Sequence, residues 1–305
     1  MIESYIESGK IASRIRDEAS KMIKDGTLVI DLVEYVEGEI LKSGAAIAFP
    51  CNVSINEVAA HYTSPANDKT MIQAGDMVKL DLGAMIDGCI ADTAVTIIAD
   101  GDVDKYYTQD EINLHEEIVE ASSAGLEAAL ATARAGVEIS KIGEAVHEAI
   151  KEYNLNPIYN LMGHSLEVNN LHAGISIPNY NNHDDQTLEE GQAIAIEPFA
   201  TNGQGNVNDA PGKYIFSYRM HKPFRLKTTQ RVLSYIENNH RYVPFSGRWI
   251  TDEFGKRKSG IALMQLSNAM AIYPYAPLKE KKNCFVSQKE HTVIIEKEGC
   301  MITTL

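Results

Sequence analysis

Two aspartates, Asp81 and Asp92, lie on either side of the dipeptide Asp87-Gly88 in the segment VKLDLGAMIDGCIADTAVTI. An Asp-Gly pair between two apolar runs is typical of a β-hairpin with a two-residue turn. In that register Asp81 faces Ala94, and because side chains alternate along a strand, Asp81 and Asp92 share one face. Diagonal neighbours on one face lie roughly 7 Å apart at Cβ, so both carboxylates could reach a shared pair of cations. Surface acids on an exposed hairpin are the alternative, but the apolar neighbours of both residues favour a buried sheet.

Two glutamates and a histidine occur in comparable settings further along the chain. Glu197 in AIAIEPF and Glu290 in VSQKEHTVII each lie within or at the end of a strand-like apolar run. A single buried glutamate usually pairs with Arg or Lys, so neither residue alone indicates a metal site. Four such acids with few cations nearby are neutralised most simply by divalent metal ions. His164 in NLMGHSLE could add an imidazole ligand, although a histidine beside glycine is more often a turn residue.

The other candidate residues have ordinary interpretations when each is taken alone. His61 in VAAHYTSP and His172 in NLHAGISIP are compatible with exposed loops. Three further histidines lack patterned neighbours and are expected at the surface: His183, His221 and His240. Four large side chains would ordinarily belong to a core: Phe49, Leu171, Phe199 and Tyr275.

The elements that must position these residues follow from hydrophobic periodicity. Apolar residues at helical spacing predict helices at residues 3–24, 29–43, 111–134 and 138–153. Apolar runs of strand character predict strands at residues 47–53, 77–84, 89–98, 192–199, 284–296 and 301–304. Helices followed by strands, twice over, predict an α+β fold of two similar halves.

A basic segment at residues 212–270 interrupts the second half. It contains eleven Lys and Arg residues and three acids, which gives it a net charge of +8. Because the whole chain has a net charge of −14, the remaining residues carry −22. We expect an inserted subdomain with helices at residues 226–238 and 260–270 and a small core anchored by Trp249, the only tryptophan. Residues 1–211 and 271–305 then form the main domain.

The composition is that of a globular enzyme, with 44% hydrophobic and 23% charged residues and no apolar run long enough to cross a bilayer. The charged N-terminal segment lacks the order of a secretory signal, which predicts a cytoplasmic protein. The negative overall charge argues against general nucleic-acid binding. The four cysteines form no CxxC pair and predict neither a disulfide framework nor a thiolate zinc site: Cys51, Cys89, Cys284 and Cys300.

Six segments resemble the type 2 methionine aminopeptidases in order and spacing: AFPCNVSINEVAAHYTSP, VKLDLGAMIDGCIADTAVTI, MGHSLEVNNLHAGISIP, AIAIEPFAT, YPYAPL and SQKEHTVII. The resemblance covers most of the chain outside the insertion and implies the pita-bread fold of two pseudo-symmetric halves, with a winged-helix-like inserted subdomain. This chain departs from the family pattern at Ser64 in HYTSP and at Asn169-Asn170 before LHAG, and neither departure removes a predicted ligand.

The same resemblance implies a function for each candidate residue. Two divalent ions of Co, Mn, Fe or Zn would be held by five ligands: Asp81, Asp92, His164, Glu197 and Glu290. Glu197 would also move a proton, while His61 and His172 would donate hydrogen bonds to the scissile amide. The methionine side chain would be bound by four residues: Phe49, Leu171, Phe199 and Tyr275. The expected substrates are nascent polypeptides that begin with methionine followed by a small residue.

Two other functions fit parts of this pattern. The first is a proline dipeptidase or aminopeptidase of the same fold, but such enzymes usually have a large N-terminal domain and lack a basic insertion. The second is a non-catalytic pita-bread protein that binds nucleic acid, but such proteins typically lose ligands. We expect a monomer with no membrane partner and no specific DNA partner, in which the basic insertion could contact the ribosome or only wall the pocket.

Overall fold

A computed structural model describes all 305 residues of the chain. It contains seven α-helices: α1 Ile2–Ser20, α2 Val29–Lys42, α3 Gln109–Thr132, α4 Ile139–Glu152, α5 Lys227–Asn239, α6 Gly247–Phe254 and α7 Lys256–Asn268. The first four helices lie where the periodicity predicts them, within about one turn. Helix α3 begins at a capping box in which the Thr108 and Glu111 side chains satisfy each other's main-chain N–H groups. Helix α6 was not predicted.

Seventeen strands complete the fold: β1 Ala46–Ile55, β2 Val58–Ala60, β3 Met77–Ile86, β4 Cys89–Ile98, β5 Asn156–Pro157, β6 Gly163–Leu166, β7 Ser176–Ile177, β8 Ala193–Ile196, β9 Phe199–Thr201, β10 Asn208–Asp209, β11 Ile215–Tyr218, β12 Phe245–Ser246, β13 Ile272–Tyr275, β14 Leu278–Lys279, β15 Val286–Gln288, β16 His291–Glu296 and β17 Gly299–Ile302. The predicted single strands at 192–199 and 284–296 are wrong, because each is divided into two strands, one on either side of a glutamate.

The main domain consists of two halves in which a pair of helices covers a sheet. In the first half, α1 and α2 pack on the sheet β1-β3-β4 through a core that includes Ile15, Leu32 and Leu80. In the second half, α3 and α4 pack on the sheet β17-β16-β8-β6-β7 through a core that includes Ile118 and Ile194. This is the α+β arrangement of two similar halves that the sequence predicts.

The hairpin β3-β4 has the predicted register. Asp87 and Gly88 both have positive φ, 49° and 83°, as a tight two-residue hairpin turn requires. Asp81 pairs with Ala94 and Gly83 pairs with Asp92, so the two aspartates are diagonal neighbours.

The two halves join along strand β4. The main-chain N–H of Glu290 donates to the carbonyl oxygen of Ala94 at 3.0 Å, which forms a bridge between the halves. Beside it, the Thr292 hydroxyl accepts from the N–H of Asp92 and donates to its carbonyl oxygen, both at 2.8 Å. These bonds fix Asp92 and Glu290 next to each other although the residues are far apart in the sequence.

The basic insertion has its own small core. Helices α5, α6 and α7 pack against the sheet β12-β11-β13 through apolar residues that include Phe216, Val232 and Phe245. Strand β13 lies beyond residue 270 and pairs with β11, so hydrogen bonding extends the unit slightly past the predicted boundary. The division into residues 212–270 and the remainder stays a proposal.

One prediction about the insertion holds and one is wrong: Trp249 packs on the small core, whereas His240 does not lie free at the surface. Trp249 is half-buried at the edge of the small core, and its indole N–H donates to Glu37 of α2 at 2.8 Å, so it also ties the insertion to the main domain. His240 is not a surface residue, because its ring stacks on Phe245 at 5.5 Å and lies 5.3 Å from Trp249. Arg248, one of the eleven basic residues, is buried in an ion pair with Glu37.

No helix of the structure is both long and apolar enough to pass through a membrane. All four cysteines are free, and two of them, Cys51 and Cys89, are buried in the core.

Candidate metal centre

A cavity of about 330 Å³ opens between the two halves and the insertion. Of the 22 residues that line it, half are the predicted site residues: Phe49, His61, Asp81, Asp92, His164, Leu171, His172, Glu197, Phe199, Tyr275 and Glu290. The structure therefore brings every predicted site residue to one place.

The two aspartates enter the cavity from the hairpin. Asp92 is only 4% exposed, and Asp81 is half-buried on the same face. The sequence makes this part of the strand apolar on both sides, as expected for a buried sheet, so the carboxylates have no alternative solvent-facing position.

The two glutamates enter from breaks in neighbouring strands. Glu197 follows the last residue of β8 and is followed by Pro198, which cannot donate to a sheet. Glu290 lies between β15 and β16. Strand β8 pairs with β16 in the large sheet, and β9 pairs with β15 in a small sheet. The segments that carry Glu197 and Glu290 therefore cross between the two sheets side by side.

His164, near the start of β6, completes the group. Its Nε2 lies 3.6 Å from Asp92 Oδ2. The ligand atoms of Asp92, His164 and Glu290 all lie within 4.8 Å of one another. Burial lowers the pKa of His164 to about 3, so its imidazole is neutral at physiological pH, as a metal ligand must be.

The electrostatics of the cavity call for cations. Burial raises the pKa of Asp81 to about 7. The pKa values of Asp92, Glu197 and Glu290 are raised well above their ordinary range, first by burial and then by repulsion from the neighbouring carboxylates. None of the residues that line the cavity is Lys or Arg. The four acids therefore have no cation of the protein to neutralise them.

Three polar atoms of the predicted ligands lack partners in the protein. Asp81 Oδ1, Asp92 Oδ1 and His164 Nδ1 are all buried without a hydrogen bond. Buried polar atoms without partners are costly, and carboxylate oxygens with one imidazole form a donor set suited to divalent metals such as Mn, Fe, Co or Zn. The residues present fit the metal centre that the sequence predicts.

The remaining two histidines flank this group. His61 has a positive φ of 63° and stands edge-on to Tyr275 at 5.5 Å, and burial lowers its pKa to about 4. His172 lies at the exposed mouth of the cavity with its ring 4.5 Å from that of His164, and the protein packed around the ring lowers its pKa. A neutral imidazole can donate one hydrogen bond to a substrate.

Several residues of the cavity were not found from the sequence: Asn52, Ala60, Asn160, Leu161, Met162, Gly163, Gly174, Ile175, Ser176, Ile215 and Pro244. Ile215 and Pro244 come from the insertion, which therefore walls the cavity. Gln288, which contacts two of the acids, was also missed. The two-residue period of a strand could have indicated it, because Gln288 and Glu290 share a face.

Comparison with known proteins settles the family. Residues 3–237 match the model of metallopeptidase family M24. The chain belongs to this family. As an M24 metallopeptidase it uses divalent metal ions, and the buried cluster of Asp92, His164 and Glu290 is compatible with their binding. The metal requirement and the pita-bread fold that the sequence predicts are thereby confirmed.

This M24 chain is similar in sequence to a curated relative and in fold to two solved structures. It is 47% identical to the methionine aminopeptidase of Methanothermobacter thermautotrophicus over 100% of this chain and 99% of the relative. The structure of a thermophilic Arx1 superposes with a TM-score of 0.82 at 20% identity, covering 99% of this chain and 89% of that one. The methionine aminopeptidase of Thermotoga maritima superposes with a TM-score of 0.70 at 20% identity, covering 99% and 96%. The two structures support the M24 fold alone.

Proposed function

We propose that the chain is a methionine aminopeptidase, a hydrolase that removes the N-terminal methionine from nascent polypeptides. The observation that supports this most strongly is the convergence of four acids, two buried and two half-buried, and one neutral imidazole in a cavity without Lys or Arg. The match over the full chain to a curated methionine aminopeptidase supports the substrate class. The chain spans 99% of the length of that relative.

The metal centre in this proposal uses the five predicted ligands. Hydrogen bonds between the two halves hold Asp92 and Glu290 next to each other, and both residues would be shared by two metal ions. Asp81 would complete one site, and His164 with Glu197 would complete the other. When bound, such a pair of ions supplies Lewis acidity and lowers the pKa of an attacking water.

The protein supplies the proton transfers and hydrogen bonds. Glu197 would take the proton of the attacking water and return it to the nitrogen of the leaving amine. The imidazoles of His61 and His172 are neutral because their pKa values are lowered, so each can donate an N–H to the scissile carbonyl or amide. Donors held in position before the reaction stabilise charge that develops on the carbonyl oxygen.

The substrate side chain would enter the apolar part of the cavity. Phe49 and Leu171 are buried in one core cluster, Phe199 is fully buried beneath the site, and Tyr275 is half-buried opposite His61. An unbranched thioether side chain adapts well to a pocket of aromatic and aliphatic groups. The limited volume favours a small second residue, which would place Met-Ala and Met-Gly peptides among the best substrates.

The assay that tests this proposal uses metal-free protein supplied with Mn or Co. We expect hydrolysis of Met-Ala-Ser and little or no hydrolysis of Gly-Pro or Met-Pro. Asp92→Asn should lower turnover by at least about a hundredfold, because an amide does not hold two cations together. The matched variant Asp31→Asn, at an exposed position of α2, should remain active. Preferential cleavage of the proline dipeptides would contradict the proposed specificity.

The proposed partners are nascent chains in the cytoplasm, with the basic insertion docking on ribosomal RNA. The body of the protein carries −22, so an RNA surface would repel it, whereas the +8 insertion would orient it towards phosphate. Replacing the exposed Arg231, Arg241 and Arg257 with Gln should weaken ribosome cosedimentation and reduce its salt dependence, with Met-Ala-Ser turnover unchanged. Arg248 is unsuitable for this test because it is buried. Unchanged ribosome binding would leave the insertion only as a wall of the cavity.

A further inference from the structure

Gln288 lies between two of the predicted metal ligands. Its Nε2 is 3.4 Å from Glu197 Oε2 and 3.3 Å from Glu290 Oε2, and the residue is only 1% exposed. Gln288 donates to both glutamates, whereas the side chains of Asp92 and Glu290 hydrogen-bond to each other. One neutral amide therefore contacts the carboxylates that the two strand breaks bring together.

The main chain of Gln288 is fixed from both sides. Its N–H donates to the Thr96 hydroxyl, and that hydroxyl donates to its carbonyl oxygen, both at 2.8 Å. On the other edge, Gln288 pairs with Phe199 in the ladder between β15 and β9. The fixed backbone places the start of the side chain, and the two acceptors then hold its amide against the loss of rotamer freedom.

The orientation of the amide also follows from the charges around it. Its neighbours are carboxylates, which only accept hydrogen bonds when ionised, so the NH₂ group turns towards them. Its Oε1 is buried without a hydrogen-bond partner, which costs desolvation free energy. Hydrogen bonds to an ionised carboxylate are stronger than neutral ones and can offset that cost.

We propose that Gln288 is a positioning residue that holds Glu197 and Glu290 in the orientation needed to bind metal. The inference rests on the proposed function only in taking both glutamates as ligands. Without a shared donor, the two neighbouring carboxylates repel each other and rotate apart, so metal binding must first bring them back together. Partners that orient metal ligands typically contribute 10- to 100-fold to metal affinity.

The test measures metal binding without substrate. Chain stripped with EDTA is titrated with Mn²⁺ by calorimetry, and its thermal unfolding is followed in the metal-free state. Gln288→Met keeps the length of the side chain and removes the donor, and we expect the dissociation constant of at least one site to rise by about 10- to 100-fold. Gln288→Asn, which keeps an amide but withdraws it by one methylene, should show the same loss and serves if the Met variant does not fold.

Asn179 offers a matched control. It is a buried amide, 2% exposed, whose Nδ2 donates to the main-chain carbonyl oxygens of Leu161 and Glu197 and to no carboxylate. Asn179→Leu should lower the metal-free melting temperature while leaving the Mn²⁺ affinity within about twofold of wild type. Gln288 variants that lose thermal stability but keep wild-type affinity would overturn the positioning role and show packing alone. A wild-type chain that binds no Mn²⁺ would overturn the metal centre itself, and this role with it.

Discussion

Glu197 and Glu290 lie at matching breaks in two segments that pair with each other, β8–β9 and β15–β16. Glu197 follows β8 of the large sheet and precedes β9 of the small sheet β15-β9-β5. Glu290 follows β15 of the small sheet and precedes β16 of the large sheet. The two segments stay hydrogen-bonded through the breaks, since the N–H of Lys289 donates to the carbonyl oxygen of Pro198 at 3.2 Å. The paired breaks turn both glutamates into the cavity without separating the strands that hold them.

His172 should matter for turnover and not for metal content. Its neutral ring lies at the cavity mouth, and a donor that acts on developing charge typically contributes about a hundredfold to kcat or more. We expect His172→Ala to lower kcat on Met-Ala-Ser by about that factor while metal analysis finds wild-type occupancy. His183→Ala, at an exposed loop, is the matched control. A His172→Ala chain that loses metal would instead place His172 among the ligands.

Removing the metals should give the protein an unusual dependence of stability on pH. The four acids have raised pKa values in the folded, metal-free state, about 7 for Asp81, against roughly 4 in the unfolded chain. The folded state then binds more protons than the unfolded state, so the stabilisation is complete below about pH 4 and is lost as pH rises towards 7 and above. Denaturant unfolding with EDTA should show this decline, and saturating Mn²⁺ should abolish it. A flat profile without metal would contradict the burial of the acids.

The insertion should be coupled to the main domain through one buried ion pair. Arg248 donates to Glu37 at 2.6 Å, both side chains are almost fully buried, and Trp249 donates to the same carboxylate. Removing one partner of such a pair typically costs about 3 to 5 kcal/mol, because the other charge remains buried. We expect Glu37→Met and Arg248→Met to reduce the free energy of unfolding in urea by about this amount each. The double variant should be less destabilised than the sum of the two, and simple additivity would show that the pair is not coupled.

Gly83 should set the shape of the methionine pocket. It lies opposite Asp92, and a Cβ at this position would meet the Phe49 ring and come within 2.9 Å of the Ala48 Cβ. We expect Gly83→Ala to displace the phenyl ring and to raise KM for Met-Ala-Ser several-fold, with Mn²⁺ affinity close to wild type. Gly260→Ala, in α7 with open space around the new methyl group, is the control. An unchanged KM would show that Phe49 does not contact the methionine side chain.

Features that depend on local geometry could be predicted from the residues alone. The shared face of Asp81 and Asp92 follows from the turn at Asp87-Gly88 and the two-residue period of strands, and the structure has that register. The four main helices and the α+β order of two halves follow in the same way from apolar periodicity. The resemblance to a known family then indicated which distant residues belong to one site.

Contacts between residues that are distant along the chain follow from the assembled fold, because their separation in the sequence carries no information about them. The breaks at Glu197 and Glu290 depend on pairing between two segments of the chain about ninety residues apart. Gln288 contacts both glutamates only because those two segments are neighbours in the fold. His240 and Arg248 are of types usually found at the surface. An ion pair with Glu37 of α2 buries Arg248, and the rings of Phe245 and Trp249 within the insertion pack against His240. Burial is a property of the assembled cores, so a local pattern does not specify it for a single polar residue.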